Sequence, residues 1–335
     1  LATPDTEEDL VEDSLQTEVR SLSVTADLHG LRLDKALSLL IEGFSRSYLQ
    51  QFIAQGDVLV QGVPCTKPSS KAIAGQQIQI TLRPTPASQA FVAQAIPLDV
   101  VFEDDYLLVV NKPPGLVVHP APGNWSGTLL NALLHHVPES VNLPRAGIVH
   151  RLDKDTSGLM VVAKTRVAMD ALVRAIAARD VSRQYLALTD CVWAHASPKT
   201  VDAAIGRDAR NRLRMAVVDL ARESGKVAKT DFYLCDANDR GSLLRCVLHT
   251  GRTHQIRVHL ASLGCPIAGD VLYARTSSLA TKPVIARQAL HAFRLAFLHP
   301  VMQTPLQWQI PLPADMQGLA QEWGLQYNDN STQEA

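Results

Sequence analysis

The sequence predicts an α+β fold: a larger part built on a mainly antiparallel sheet, preceded by a small module of helices and short strands. Three observations predict it. Residues 96–313 are rich in β runs but lack the regular strand–helix alternation of a doubly wound parallel sheet. Apolar residues at helical spacing crowd instead between Leu33 and Ile53. A Pro-rich stretch, Arg83-Pro84-Thr85-Pro86-Ala87-Ser88, separates the two parts.

Taken in order, residues 1–21 are acidic and poor in aromatics, and they read as a disordered leader. A compact module follows at 22–83. Leu33, Leu37 and Leu40 mark a helix that Gly43 would end, and Ser45 is the expected N-cap of a second helix with the apolar stripe Leu49, Phe52 and Ile53. On its other face Arg46 and Gln50 are neighbours, four residues apart. Gly56 to Gly62 reads as turn, short strand and turn, and Ile78 to Leu82 as a strand. The linker is placed at 84–95 and the larger domain at 96–313. Its expected strands are Leu107–Val110, Gly147–Leu152, Leu159–Ala163, Gln184–Leu188, Leu243–Leu248 and Leu306–Ile310; its expected helices are Ala168–Ala178 and one starting near Thr253. After Pro313 the polar tail 314–335 is expected to fray.

Composition bounds the function. The 335 residues suffice for two cores, and 46% hydrophobic with 19% charged residues is ordinary for a globular protein. No apolar run approaches the roughly 20 residues that span a bilayer, and no signal-peptide pattern opens the chain. Five cysteines, an odd number with no CxxC pair, point to a reduced cytoplasmic compartment and away from a zinc cluster. The net charge of −1 is uneven: residues 1–20 hold seven acids and one base, so the remainder is about +5. An acidic leader on a mildly basic body is compatible with an anionic partner, and equally with a solubilising tail.

Three clusters carry the chemistry. Between two apolar runs stand His150, Arg151, Asp153, Lys154, Asp155, Thr156 and Ser157. This knot reads as a hairpin turn, as part of a metal site, for which no nearby Cys, Glu or second His completes a ligand set, or as a nucleophile or general base, Asp153, with Arg151 holding an anionic ligand. The second cluster is His249 to Gly264, where Ile256, Leu260 and Leu263 lie on one helical face. Arg252, His254 and Arg257 then fall in or near the first turns, where cations oppose the helix dipole and need an anion, either a carboxylate or a phosphate. The third is Arg183 to Leu188, in which strand alternation puts Tyr185 and Ala187 on one face. Such a tyrosine can stack on a base, or be core.

Together these segments resemble the RluA/RluD-type family of RNA pseudouridine synthases. His150-Arg151-Leu152-Asp153 with Thr156-Ser157-Gly158 matches its catalytic signature. Val110 to His119, Gly251 to Leu260, Gly269-Asp270, Leu272-Tyr273 and Arg287 to Ala292 resemble further motifs. The module at 22–83, with Arg32-Leu33-Asp34-Lys35-Ala36-Leu37 and Ser45-Arg46-Ser47, resembles the αL RNA-binding module.

The resemblance implies an isomerase that detaches uracil from its ribose and rejoins it through carbon 5, with no metal, nucleotide or other cofactor. It makes Asp153 the essential carboxylate, Arg257 its basic partner and Tyr185 the residue that stacks on the target base. Arg151 fills the space left by the flipped nucleotide. Arg252, His254, Arg32, Lys35, Arg46 and Gln50 are the further candidate RNA contacts. Ribosomal RNA of the large subunit, free or in a pre-ribosomal particle, is the expected partner of a cytoplasmic monomer, with no membrane association. Transfer RNA is the alternative within the class; a non-catalytic assembly factor and a glycosidase-like hydrolase are those outside it. Cys191 and Ala274 stand where the family pattern has glycines, and residues 191–240 are less orthodox.

Overall fold

The computed structural model describes residues 18–41, 46–82, 88–121, 124–211, 213–274 and 285–327. The chain divides into two compact units, 1–89 and 90–335.

In the first unit, strands β1 (Glu18–Ser23), β2 (Val58–Val60), β3 (Val63–Pro64) and β4 (Gln77–Leu82) form an antiparallel sheet in the order β1-β4-β2-β3. Helices α1 (Leu33–Leu40) and α2 (Arg46–Gln55) supply Leu33, Leu37, Leu49, Phe52 and Ile53 to one core with Ile78 and Ile80. Each such side chain, fully buried, contributes on the order of 1.5–3 kcal/mol. One boundary needs correction. Glu18 to Ser21, expected in a disordered leader, pair along β4. Alternation explains it: Leu22 packs on the core while Val19 faces out, and most of the acids that suggested disorder precede Glu18. Gly43, Ser45 and most of the Pro-rich stretch lie outside the described residues.

The second unit carries β5 (Val100–Glu103), β6 (Leu107–Lys112), α3 (Leu129–His136), β7 (Ser157–Ala163), α4 (Arg166–Ala178), β8 (Ser182–Thr189), β9 (Lys199–Asp202), β10 (Ile205–Arg207), β11 (Met215–Val217), β12 (Gly225–Lys226), β13 (Lys229–Asn238), β14 (Gly241–Leu248), α5 (Gln255–Ser262), β15 (Leu290–Leu298), β16 (Pro305–Gln309) and α6 (Ala314–Trp323). Its main sheet runs β5-β6-β7-β15-β8-β14-β13-β9, with β16 on β15. Among the described residues only the β7–β15 pair is parallel. Both faces of β7 are covered: Met160 and Val162 join the cluster containing Leu130 and Leu133 of α3, and Leu159 and Val161 join the one containing Ala168 and Leu172 of α4. A strand buried on both faces must be continuously apolar, as Leu159 to Ala163 is.

Three expectations change. Residues 147–152 are not a strand. Arg145, Ala146 and Gly147 all take positive φ, only Ile148 bridges Val162, and the His150 imidazole accepts the Val161 N–H at 3.1 Å. A side chain thus takes the place of the backbone ladder. Residues 314–327 are not a frayed tail: Met316, Leu319, Ala320 and Trp323, at helical spacing, are buried in the main core, and Asp315 binds Arg287 through two hydrogen bonds of 2.6 and 2.9 Å. Nor are all thiols free, since Cys191 and Cys265 form a disulfide, hidden in the sequence by a separation of 74 residues. No helix among the described residues is long and apolar enough to cross a membrane.

Candidate active site

Asp153 sits in the tight turn that feeds β7, closed by the Thr156 N–H on the Asp153 carbonyl at 3.1 Å. The turn reading is therefore correct as local structure, without excluding a chemical role. Two groups fix the turn from behind. Gly158 has φ +116°, and a Cβ there would collide with the backbone of Ala292 on β15. The ammonium of Lys112, 1% exposed, donates to the carbonyls of Pro113, Leu116 and Lys154 at 2.8–2.9 Å. Burial pulls its pKa down to about 7, against the charges of Asp155 and Asp153.

Helix α5 brings the counter-charge. Arg257, one helical position from the buried Ile256, donates Nη1 to Asp153 Oδ2 at 3.0 Å, and Nε and Nη2 to Asp270 at 2.7 and 2.9 Å. Burial alone would lower the guanidinium's pKa; Asp270 and then Asp153 outweigh it and raise it. The anion that the helix start needed is thus a pair of carboxylates rather than a phosphate. Asp270 is itself fixed by the N–H groups of Leu272 and Tyr273. Oδ1 of Asp153 bonds no described residue, so a carboxylate held through one oxygen presents the other to the cavity.

That cavity, of about 930 Å³, is lined by Asp153, Tyr185, Arg257, Arg151, Arg252 and His254 among others. Tyr185, on β8, is 5% exposed, and burial raises its phenol to about 12 against the nearby charge of Arg183. It keeps its proton at neutral pH. His254 caps α5 in a left-handed conformation (φ 57°). Its Nδ1 is 2.8 Å from the Tyr273 hydroxyl, which already accepts the Met215 N–H. Its other ring nitrogen, Nε2, lies 4.0 Å from Asp153 Oδ2. Burial draws His254 below its ordinary pKa, opposed by Asp153.

The structure brings Asp153, Tyr185, Arg257, His254, Arg151 and Arg252 to one cavity. Arg151 is exposed, and Arg252 donates Nε to the Val227 carbonyl at 3.0 Å. In the first unit Arg32, Arg46 and Gln50 converge on the fully buried Asp34 at 2.6–3.1 Å, while Lys35 is exposed. These three therefore have a structural partner that their spacing did not reveal, although the Arg32-x-Asp34 pair was visible. Asp270, Tyr273 and Lys112 stood only as parts of motifs, since nothing local shows that they reach Asp153. No group of three metal-ligating side chains occurs among the described residues.

The profile described as RNA pseudouridylate synthase matches residues 106–262, and an S4 domain profile matches 31–78. The chain is 49% identical over 304 residues to the ribosomal large subunit pseudouridine synthase D of Nitrosomonas europaea, covering 90% of this chain and 86% of that one. It is 46% identical over 325 residues to the protein so named in Neisseria meningitidis, covering 93% and 85%. Among solved structures, human RNA pseudouridylate synthase domain containing 1 superposes with a TM-score of 0.52 at 27% identity, over 71% of this chain and 99% of that one.

Proposed function

The chain belongs to the RNA pseudouridylate synthase family, whose members isomerise uridine to pseudouridine in RNA, and from that premise we propose that its substrate is large-subunit ribosomal RNA. The names of the Nitrosomonas and Neisseria relatives support that choice over transfer RNA, and the S4 domain supports RNA as the partner. We read the first unit, from Glu18 to Leu82, as the RNA-binding module and the second unit, α6 included, as the catalytic domain. The protein works as a cytoplasmic monomer on naked RNA or on an assembling particle.

In this reading the target uridine leaves its stack and enters the cavity, at a cost of a few kcal/mol that favours loops over duplexes. Arg151 at the rim occupies the vacated space. Asp153, held through one oxygen by Arg257, acts on the sugar by attack or by promoting elimination. The bond between ribose and N1 breaks, the base turns, and a bond to carbon 5 forms as the C5 proton leaves to solvent. Tyr185 lies against the base as a protonated phenol. Arg252 and His254 hold the backbone, and the exposed N–H groups of Arg32 and Arg46, with Lys35, meet RNA on the first unit; Gln50 serves there through Asp34. No residue in this scheme calls for a metal or other cofactor.

The observation that carries the reading is the single arginine bridging Asp153 and Asp270 at the wall of the cavity that holds Tyr185. The test is to map pseudouridine in ribosomal and transfer RNA from cells lacking the protein. Particular large-subunit positions should disappear and return with the wild-type gene. Loss confined to transfer RNA would overturn the substrate, and an unchanged map with inactive purified protein would overturn the function.

A further inference from the structure

Arg145, Arg179 and Arg183 line the cavity without a part in the scheme above, and of these Arg183 is the buried one. Arg183, two residues before Tyr185 and therefore on the same face of β8, lines the cavity and is 6% exposed. Its Nε is sealed from solvent without a partner, and no described residue, carboxylate or carbonyl, accepts from its guanidinium. The head group lies over the Cα of Gly251, where any Cβ would meet Nη1 at 2.9 Å. Buried arginines are normally paired, because desolvating an uncompensated cation is costly. Arg257, in the same cavity, has two carboxylates; Arg183 has none.

A second orphaned donor lies beside it. His150 uses Nε2 to accept the Val161 N–H, so the neutral ring carries its proton on Nδ1. Burial, with Arg183 adding to it, draws this imidazole down to about 3, which keeps it in that neutral form. Nδ1 also lines the interior without a partner. Neither donor has an acceptor among the described residues, and a guanidinium beside an N–H donor suits an anion.

We propose that Arg183 and His150 form a phosphodiester-binding subsite that grips a phosphate flanking the target uridine once the nucleotide is in the cavity. The proposal rests on the reading of the cavity as the uridine site. The planar fork of Arg183 matches two phosphate oxygens, and Nδ1–H of His150 supplies a further hydrogen bond. The net positive charge favours a phosphate over the neutral carbonyls of uracil. The glycine at 251 leaves room for the guanidinium.

The test uses full-length protein and RNA oligonucleotides spanning a mapped target uridine, with each flanking phosphate replaced in turn by an uncharged methylphosphonate. For wild type, one replacement should weaken binding by about tenfold or more. Arg183→Gln should bind the unmodified RNA more weakly by a similar factor and be indifferent to that replacement. The slope of log affinity against log salt should fall by about 0.7, one single-strand phosphate. Because Arg183 lacks a partner among the described residues, Arg183→Met should melt at the wild-type temperature or above it, whereas a purely structural arginine would lower it. Equal losses from methylphosphonate in wild type and variant, or a destabilised Arg183→Met with unaltered salt slope, would overturn the subsite. Failure of wild type to isomerise the unmodified oligonucleotide would instead count against the proposed function.

Discussion

Each unit contains a cluster built from arginine and aspartate, and the two are mirror images in stoichiometry. In the first, one carboxylate, Asp34, receives Arg32, Arg46 and Gln50. In the second, one guanidinium, Arg257, is shared by Asp153 and Asp270. Asp34 is wholly buried, and both of its oxygens are engaged. Its pKa is held far below the usual carboxylate range, first by Arg32, then by Gln50 and Arg46, against its burial. The spare cationic charge stays on two half-exposed arginines. Asp153 has one oxygen held and one open, at the wall of a cavity. The difference teaches that arginine–aspartate pairing can engage both carboxylate oxygens, as at Asp34, or hold one and leave the other open, as at Asp153.

Breaking the second cluster should have the larger consequences. Arg257→Gln strands two carboxylates; turnover should fall by about 10³-fold or more, ~4 kcal/mol of barrier, with a loss of about 3–5 kcal/mol in denaturant-measured stability for a broken buried pair. Asp270→Asn removes the fixed side of the bridge but leaves Asp153 its partner, so turnover should fall by about 10²-fold, measured in single turnover to separate chemistry from RNA release.

Acid should distinguish the two units. His119, His150 and His291 of the second unit are held neutral chiefly by burial, at about 4, 3 and 4. The unfolded chain protonates its histidines near 6.5, so between about pH 6.5 and 4 it binds more protons than the fold, and stability falls as pH falls. Asp34 acts in a lower window. Its depressed pKa stabilises the first unit above the unfolded value of about 3.9, and that stability is lost only as pH drops through and below it. Hydrogen exchange followed by mass spectrometry should show the second unit loosening first on acidification. The smallest effect belongs to Lys35→Ala, which should leave turnover of a short oligonucleotide unchanged and weaken binding of long RNA about twofold, in a salt-sensitive way.

Local pattern made much of this legible. The stripes Leu33-Leu37 and Leu49-Phe52-Ile53, the strand Leu159–Ala163 and the helix bearing Arg257 all follow from periodicity, and the signature around Asp153 falls at the wall of the cavity. What stayed hidden depends on partners distant in sequence. Asp270 is 117 positions from Asp153 and is joined to it only through Arg257; the anion for Arg32 and Arg46 is a residue that a helical stripe merely makes apolar by association. The run Gly147–Leu152 looked like a strand because its apolar residues are buried, yet His150 takes the hydrogen bond that a strand would make. Helix α6 was obscured by the polar residues between Met316, Leu319 and Trp323, which its outer face requires.

The central claim is that Asp153 is the reactive carboxylate and Asp34 the structural one. Tritium release from RNA carrying uridine labelled at carbon 5 tests it directly, run on wild type, Asp153→Asn and Asp34→Asn beside their melting curves. The account predicts no release and a near-normal melting temperature for Asp153→Asn. Asp34→Asn should keep its release on a short oligonucleotide while the first unit melts earlier. Release by Asp153→Asn at the wild-type rate would contradict it.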